Sequence, residues 1–218
     1  MTTAAWKVNR LVNQPIMARA SNTEVRRAEI VGALRRVMAR RGYDGASVAE
    51  IARVAGMTPG LVHYHFEDKR EILLALVGEL AREAAARAAR ALARGGDDPL
   101  GRLESTLDAF LSRETDPDPE AVACWIAIAA EGIRDPEVKK ALDAGLAEAA
   151  AVLEGLVGEA LERARHPARD AKTIAAILLA TVLGYFVVAA TAAELVPAGS
   201  AAGTTRHLAR LLVQGGGS

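Results

Sequence analysis

The chain has 218 residues, of which 51% are apolar and 25% charged, a composition typical of a soluble globular protein of one or two domains. Its single cysteine excludes an intrachain disulfide and is typical of a reducing compartment, so we expect a cytoplasmic protein. The net charge of zero conceals an asymmetry, because residues 1–70 carry 12 Lys and Arg against 6 Asp and Glu, whereas residues 71–218 carry 15 against 21. This basic N-terminal third predicts contact with a polyanion, although chance clustering in an arginine-rich chain would give the same charge.

Apolar residues recur at helical spacing along most of the chain, and the abundant alanine and arginine are good helix formers. The sequence therefore predicts an all-α fold of about nine helices. Residues 1–22 are polar and irregular and are predicted to form a flexible N-terminal arm, within which Met17 is an alternative to Met1 as the start of translation. The predicted helices span about 23–41, 48–56, 59–66, 69–94, 100–113, 119–133, 135–165, 168–195 and 200–214.

The second and third helices carry clear start and stop signals. Ser47 is a predicted N-cap that forms a capping box with Glu50, and Gly56 ends this helix after two to three turns. Thr58 is placed to cap the next helix, with Pro59 at its favoured first position. Two short helices joined by a tight glycine-containing turn predict a helix-turn-helix at residues 48–66.

A helix fits the major groove of DNA, and its N-terminus presents free amides and a positive dipole to phosphates. Pro59 and Gly60 would let the backbone approach DNA closely, and Tyr64 lies one turn further on. Lys69 and Arg70, at the start of the next helix, suit contacts to the phosphate backbone. The candidate DNA contacts on the predicted helix at 59–66 are Pro59, Gly60, His63, Tyr64 and His65.

The segment ARRGYDGASVAEIARVAGMTPGLVHYHFEDKREILLALV at 39–77 resembles the DNA-binding domain of the tetracycline-repressor (TetR) family. The matching positions are Gly42, Tyr43, Ala46, Ser47, Ile51, Ala52, Ala55, Gly56, Met57, Thr58, Gly60, His63, His65, Phe66 and Lys69. The resemblance implies that Thr58, Gly60, Leu61, His63, Tyr64, His65 and Lys69 contact DNA and that Ser47 lies near the phosphate backbone. The family most often has tyrosine where this chain has His63, which leaves the operator sequence open.

The resemblance also implies that the C-terminal helices bind a small molecule and form a homodimer. Residues 123–138 are similar to the choline-responsive BetI-like branch of the family, although eight aromatic residues in the whole chain are few for an aromatic cage around a quaternary ammonium. The candidate pocket residues are Leu107, Phe110, Leu111, Trp125, Ile128, Glu131 and Tyr185, for each of which plain core packing is the competing interpretation.

The candidate dimer interface uses the last two long helices. Ala176, Ala180 and Gly184 lie four residues apart and would let another helix approach closely, and the last helix has its own apolar edge. The predicted interface is Ala176, Ala180, Gly184, Leu208, Leu211 and Leu212. The 21 residues of 173–193 lack a charge, but seven of them are alanine, and we interpret the stretch as a buried helix rather than a membrane span.

The domains expected are an arm at 1–22, a DNA-binding domain at 23–70 and a ligand-binding and dimerisation domain at 71–218, with the helix at 69–94 as connector. The histidines show no metal-binding spacing, Cys124 lies in an apolar stretch and no phosphate-binding loop is present, so we expect neither an enzyme nor a metal or other cofactor. The partners expected are double-stranded operator DNA, a second copy of the chain and an unidentified small-molecule effector, with no membrane. Control by a protein partner or by membrane association, and activation instead of repression, stay open as alternatives.

Overall fold

The computed structural model describes residues 22–111, 119–197 and 199–215. Within these ranges all regular structure is helical, which confirms the all-α prediction. The nine α-helices are α1 (Asn22–Arg41), α2 (Val48–Ala55), α3 (Pro59–His65), α4 (Lys69–Arg94), α5 (Pro99–Leu111), α6 (Pro119–Gly132), α7 (Pro136–Arg163), α8 (Ala171–Thr191) and α9 (Ser200–Gln214). The predicted arm at 1–22 lies outside the described residues except for Asn22, which begins α1, and residues 112 and 113 of the predicted helix at 100–113 also lie outside them.

The first of two hydrophobic cores lies beneath the helix-turn-helix. The buried stripe of α1, which includes Ile30 and Leu34, packs against Ile51 of α2, Phe66 after α3 and Leu73 of α4. Each of these five side chains is at most 1% exposed, so the short helices are stabilised chiefly by this shared burial.

Helix α6 also belongs to the first core. Ala121, Cys124 and Ile128 of α6 are buried in it, together with Val138 at the start of α7. The Cys124 thiol lies 3.5 Å from the backbone carbonyl oxygen of Arg35 in α1. The packing therefore crosses the boundary placed at residue 70, and that boundary remains a prediction.

The second core joins α5, the latter part of α7, α8 and α9. Leu107, Val157, Leu178 and Val213 represent the four helices and are nearly or fully buried. Helices α4 and α7 contact the elements of both cores. Since α4 has 26 residues, it is about 39 Å long and runs from the recognition helix to the second core.

Helix α8 differs from the buried helix that the sequence predicts. One face, with Ile174, Leu178 and Val182, lies in the second core, while the opposite face is exposed. The predicted span of 168–195 is divided into α8 and two single-turn 3-10 helices, Ala168–Asp170 and Ala193–Leu195. By length and composition Ala168–Thr191 is apolar enough to cross a membrane, and 22% of its most apolar window is buried in the structure.

Candidate DNA-binding surface and ligand cavity

The predicted helix caps of the helix-turn-helix are present. The Ser47 hydroxyl accepts a hydrogen bond from the Glu50 amide at 3.2 Å, and the Thr58 hydroxyl accepts one from the Leu61 amide at 3.3 Å. The Glu50 carboxylate accepts from the Arg53 guanidinium at 2.8 and 2.9 Å and not from the Ser47 amide, so the second hydrogen bond of the predicted capping box is not formed. Gly56 ends α2 with φ = 68°, in the left-handed region that favours glycine. These contacts fix where α3 begins.

The outer face of α3 has the exposure that groove binding requires. Tyr64 is 80% exposed and Leu61 is 37% exposed, and His63 is exposed beside them. Pro59 and Gly60 are also exposed, and nothing lies within 4 Å of a Cβ atom added at Gly60. A phenol, an imidazole and a bare backbone segment therefore share one surface that can donate to phosphates and base edges.

His65 lies on the other side of α3. Its side chain is only 9% exposed and belongs to the inner stripe formed by Val62, His65 and Phe66. Because these positions are related by i, i+3 and i+4, they face the core together. The predicted DNA contact by the His65 side chain does not fit this burial, and its ring instead packs edge-on against Tyr64 with 5.1 Å between centroids.

Lys69 is engaged within the protein. Its ammonium donates to the backbone carbonyl of Tyr43 at 3.0 Å and lies 4.0 Å from the centre of the Tyr43 ring. These contacts join the start of α4 to the loop between α1 and α2. Burial and the carboxylates of Glu131, Asp68 and Asp135 raise the pKa of Tyr43 to about 12. Lys69 thus positions the beginning of α4, whereas a phosphate contact by its ammonium stays a prediction.

Arg27, which was not among the sequence-derived candidates, holds the end of the recognition helix. Its guanidinium lies 3.8 Å over the Phe66 ring, donates to the backbone carbonyl of His65 and pairs with Glu71 at 2.8 Å. Glu71 also accepts from the Glu67 amide at 2.7 Å. The sequence feature that could have identified Arg27 is its position one turn before Ile30, where a charged residue lies on the otherwise apolar stripe of α1.

Ion pairs also connect the DNA-binding elements to the turn between α6 and α7. The Arg70 guanidinium lies 3.8 Å from Asp135 and 3.4 Å from Glu137, and Arg134 lies 4.0 Å from Asp44. Arg70 was expected to anchor DNA, but its guanidinium pairs with Glu137 of α7 and with Asp135, the residue that precedes α7. This turn therefore connects the start of α4 directly to the C-terminal helices.

A cavity of about 360 Å³ lies among α4, α5, α6, α7 and α8. This volume is at the lower end of the range for small-molecule sites. One wall is formed by small side chains of α4, and most of the rest is aliphatic or aromatic. The lining residues are Ala81, Ala84, Ala85, Arg87, Ala88, Ala89, Leu92, Thr106, Phe110, Trp125, Gly145, Leu146, Glu148, Ala149, Val152, Leu153, Leu179, Val182, Leu183 and Phe186.

Two of the seven predicted pocket residues, Phe110 and Trp125, line this cavity. The other five do not. Leu107 and Ile128 are fully buried in the two cores, and Leu111 packs against the second. Glu131 is half-buried at the end of α6, near enough to Tyr43 to raise its pKa, and Tyr185 is half-buried on α8 outside the lining. The alanine wall of α4 was not anticipated.

The predicted dimer residues lie on the outer side of α8 and α9. Ala176, Ala180 and Gly184 are exposed, and Leu211 is 55% exposed. Leu208 and Leu212 are half-buried against the second core. The same face of α8 also exposes Ile177 and Val187, so it is an extended apolar surface.

A capped helix-turn-helix with an exposed recognition face, joined by a long helix to an α-helical domain that contains an apolar cavity, defines a DNA-binding transcriptional regulator. Residues 30–76 match the family of bacterial regulatory proteins called the tetR family, and residues 99–213 match the C-terminal domain of the BetI-type transcriptional repressor. The chain belongs to the TetR family of transcriptional regulators, and its C-terminal domain is of the BetI type.

Known proteins agree with this assignment over most of the chain. The HTH-type transcriptional regulator BetI of Rhizobium meliloti is 34% identical over 176 residues, which are 78% of this chain and 81% of that protein. A transcriptional regulator from Rhodococcus sp. Rha1 superposes with a TM-score of 0.74 at 26% identity, covering 87% of this chain and 96% of its own. A regulator from Saccharomonospora viridis, crystallised with choline, has the same fold with a TM-score of 0.72 at 21% identity, covering 86% and 95%.

Proposed function

We propose that this regulator is a homodimeric repressor that places two α3 helices in successive major grooves of a palindromic operator and leaves the DNA when a small molecule enters the cavity. The observation that carries the DNA-binding part is the exposed face of α3, with Tyr64 at 80% exposure beside His63 and an open backbone at Gly60. Since this face lies at the capped start of a helix, phosphates and base edges meet both free amides and side-chain donors. Such a regulator acts in the cytoplasm, where bacterial DNA lies.

The test of DNA binding is fluorescence anisotropy with fragments of the promoter region of the protein's own gene. We expect His63→Ala and Tyr64→Ala each to weaken binding by about 10-fold or more, because a direct contact to a base or phosphate contributes ~1–3 kcal/mol. His166→Ala is the control, because it removes an imidazole from the turn after α7, outside the helix-turn-helix and outside the proposed dimer residues. Operator affinity unchanged in a Tyr64→Ala, Lys69→Ala double variant would overturn the site assignment.

The exposed apolar face of α8 supports a dimer formed through α8 and α9. Ala176, Ala180 and Gly184 are spaced so that a second helix can approach closely, and the α9 residue Leu211 extends the surface. A twofold dimer places its recognition helices about 34–36 Å apart to contact half-sites one DNA turn apart. The dimer therefore explains why a helix as apolar as α8 has so much exposed surface in the single chain.

Analytical ultracentrifugation tests the interface. We expect Ala180→Glu to dissociate the dimer and reduce operator affinity with it, because a carboxylate buried against an apolar helix has no partner. Ile133→Glu is the control, since Ile133 is 88% exposed and lies just after α6, next to the Arg134 that pairs with Asp44 of the DNA-binding region. A dimer of unchanged stability in Ala180→Glu would rule out this interface.

The cavity of about 360 Å³ supports a small-molecule effector. Because α4 forms one cavity wall and begins directly after the recognition helix, a ligand that displaces α4 changes the spacing of the two α3 helices. A coupling of about 1–3 kcal/mol between the two sites is enough for regulation. A thermal-shift screen tests this, since a ligand that binds the folded state raises the melting temperature. Choline, the ligand of the Saccharomonospora viridis relative, is the reference compound.

A further inference from the structure

A row of three arginines lies on α4 beside the cavity. Arg87, Arg90 and Arg94, with Ala109 of α5, line a shallow surface depression of about 280 Å³. At 100° per residue the three positions fall within about 60° of one another around the helix, and they extend over about 10 Å along its axis. Three guanidinium groups therefore share one face of α4.

The depression and the cavity adjoin at Arg87, which lines both. Inside the cavity the walls are apolar, with Phe110, Phe186 and the alanines of α4 among them. The hydroxyl of Thr106 donates to the carbonyl of Arg102 at 2.9 Å, so its hydrogen is used within α5. The cavity thus suits an apolar ligand body, and the side that meets Arg87 suits a polar end.

Carboxylates of the neighbouring helix α5 are directed elsewhere. Asp108 pairs with Arg206 of α9 at 3.2 Å, and Glu104 accepts from Arg210 of the same helix. Among the described residues that line the cavity, Glu148 on α7 is the one carboxylate, and it does not line the arginine depression. These acids of α5 therefore pair with α9, while Arg90 and Arg94 are exposed beside Ala109.

We propose that the effector is an amphipathic anion, with an apolar body in the cavity and a carboxylate or phosphate group on Arg87, Arg90 and Arg94. The guanidinium group binds both anions through paired, charge-assisted hydrogen bonds. Because the row lies on α4, binding of the anionic end also holds the helix that leads to the recognition helix. The inference rests on the proposed function, whose cavity site it assigns to one chemical class.

The test compares four compounds that share a ten-carbon chain and differ in their end group: decanoate, decyl phosphate, 1-decanol and decyltrimethylammonium. The chain has two tryptophans, Trp6 and Trp125, so a Trp6→Phe variant leaves Trp125 in the cavity wall as the single fluorophore. We expect decanoate or decyl phosphate to bind at least about 10-fold more tightly than the uncharged and cationic compounds. The two anions distinguish a carboxylate effector from a phosphate effector.

The variant that tests the arginine row is Arg90→Ala, Arg94→Ala, because both side chains are exposed and their removal leaves the cores unchanged. We expect it to weaken anion binding about 10-fold and to leave 1-decanol binding unchanged. Arg163→Ala, Arg169→Ala is the matched control, since it removes two exposed charges that line neither space, and it should retain anion binding.

Three results would overturn the inference: decyltrimethylammonium binding as tightly as the anions, unchanged anion binding in Arg90→Ala, Arg94→Ala, or no binding of any of the four compounds. Operator binding, measured by anisotropy on the same preparations without ligand, separates these outcomes from a failure of the proposed function. Retained operator affinity with failed anion binding rejects only the anionic effector.

Discussion

Arg27 offers the sharpest test of how the recognition helix is held. Arg27→Met keeps the apolar stem but removes the guanidinium that contacts Phe66, the His65 carbonyl and Glu71. Both ends of the ion pair are 38% exposed, so solvent screening limits its contribution to about 0.5 kcal/mol. The contact with the aromatic ring contributes ~1 kcal/mol, and the charged hydrogen bond to the carbonyl ~1.5 kcal/mol.

Because these contributions overlap, we expect a loss of about 2–3 kcal/mol, which lowers the melting temperature of a chain of this size by about 4–12 °C. Differential scanning calorimetry measures the change. Arg26→Met is the matched control: the neighbouring arginine pairs with Glu29 on the exposed surface of the same helix, where such pairs contribute ~0.2–0.5 kcal/mol. If both variants melt at the same temperature, Arg27 does not hold α3 against α1 and α4.

Further predictions concern stability and titration. Gly56→Ala should cost about 1 kcal/mol in urea unfolding because φ is 68°, whereas Gly60→Ala, with equally open space around it, should cost none; equal costs would contradict the backbone explanation. The hydrogen bonds from Arg27 and the Glu67 amide lower the pKa of Glu71 below 4.5, so its stabilisation is present above about pH 4.5 and is lost as the pH falls through its folded-state pKa. Glu71→Gln should therefore be less stable at pH 7 and show a flatter decline in acid; a curve parallel to the wild type would argue against this. A Tyr64→Phe, Tyr185→Phe variant leaves Tyr43 as the single tyrosine, with a pKa of about 12 in the folded chain. At about pH 11 we expect about a tenth of its phenol to be ionised in the folded protein, against about nine tenths in the urea-unfolded chain. Similar phenolate absorbance in the two states would contradict the raised pKa of Tyr43.

The helix order and the helix-turn-helix were predictable because their signals are local. Ser47 and Thr58 cap their helices through hydroxyl groups placed three residues before the amides they accept from, a spacing that is visible in the sequence. The burial of His65 was predictable as well, since it shares the i, i+3, i+4 stripe with Val62 and Phe66. Its polar side chain suggested a DNA contact, although its position on the helix indicated the core.

The cavity could not be placed in the same way. Helix α8 is apolar all round, so its sequence does not show which face meets the cavity, and Val182 and Phe186 line the cavity while Tyr185 does not. The space itself arises because small side chains such as Ala84 and Ala88 of α4 lie opposite larger ones on other helices. Which helices face each other depends on tertiary packing that no local signal contains.

The burial of α6 in the first core has a consequence for building hybrid regulators. A cut at Gly95–Gly96, where the sequence shows its clearest break, would keep α1 to α4 but remove Ala121, Cys124 and Ile128, which cover the inner side of that core. The N-terminal fragment would then expose apolar surface and tend to aggregate. A C-terminal domain transplanted from a relative would need an α6 whose inner face fits α1 of this chain. The segment that can be exchanged between regulators therefore depends on which helices pack together, and not on where the sequence has a break.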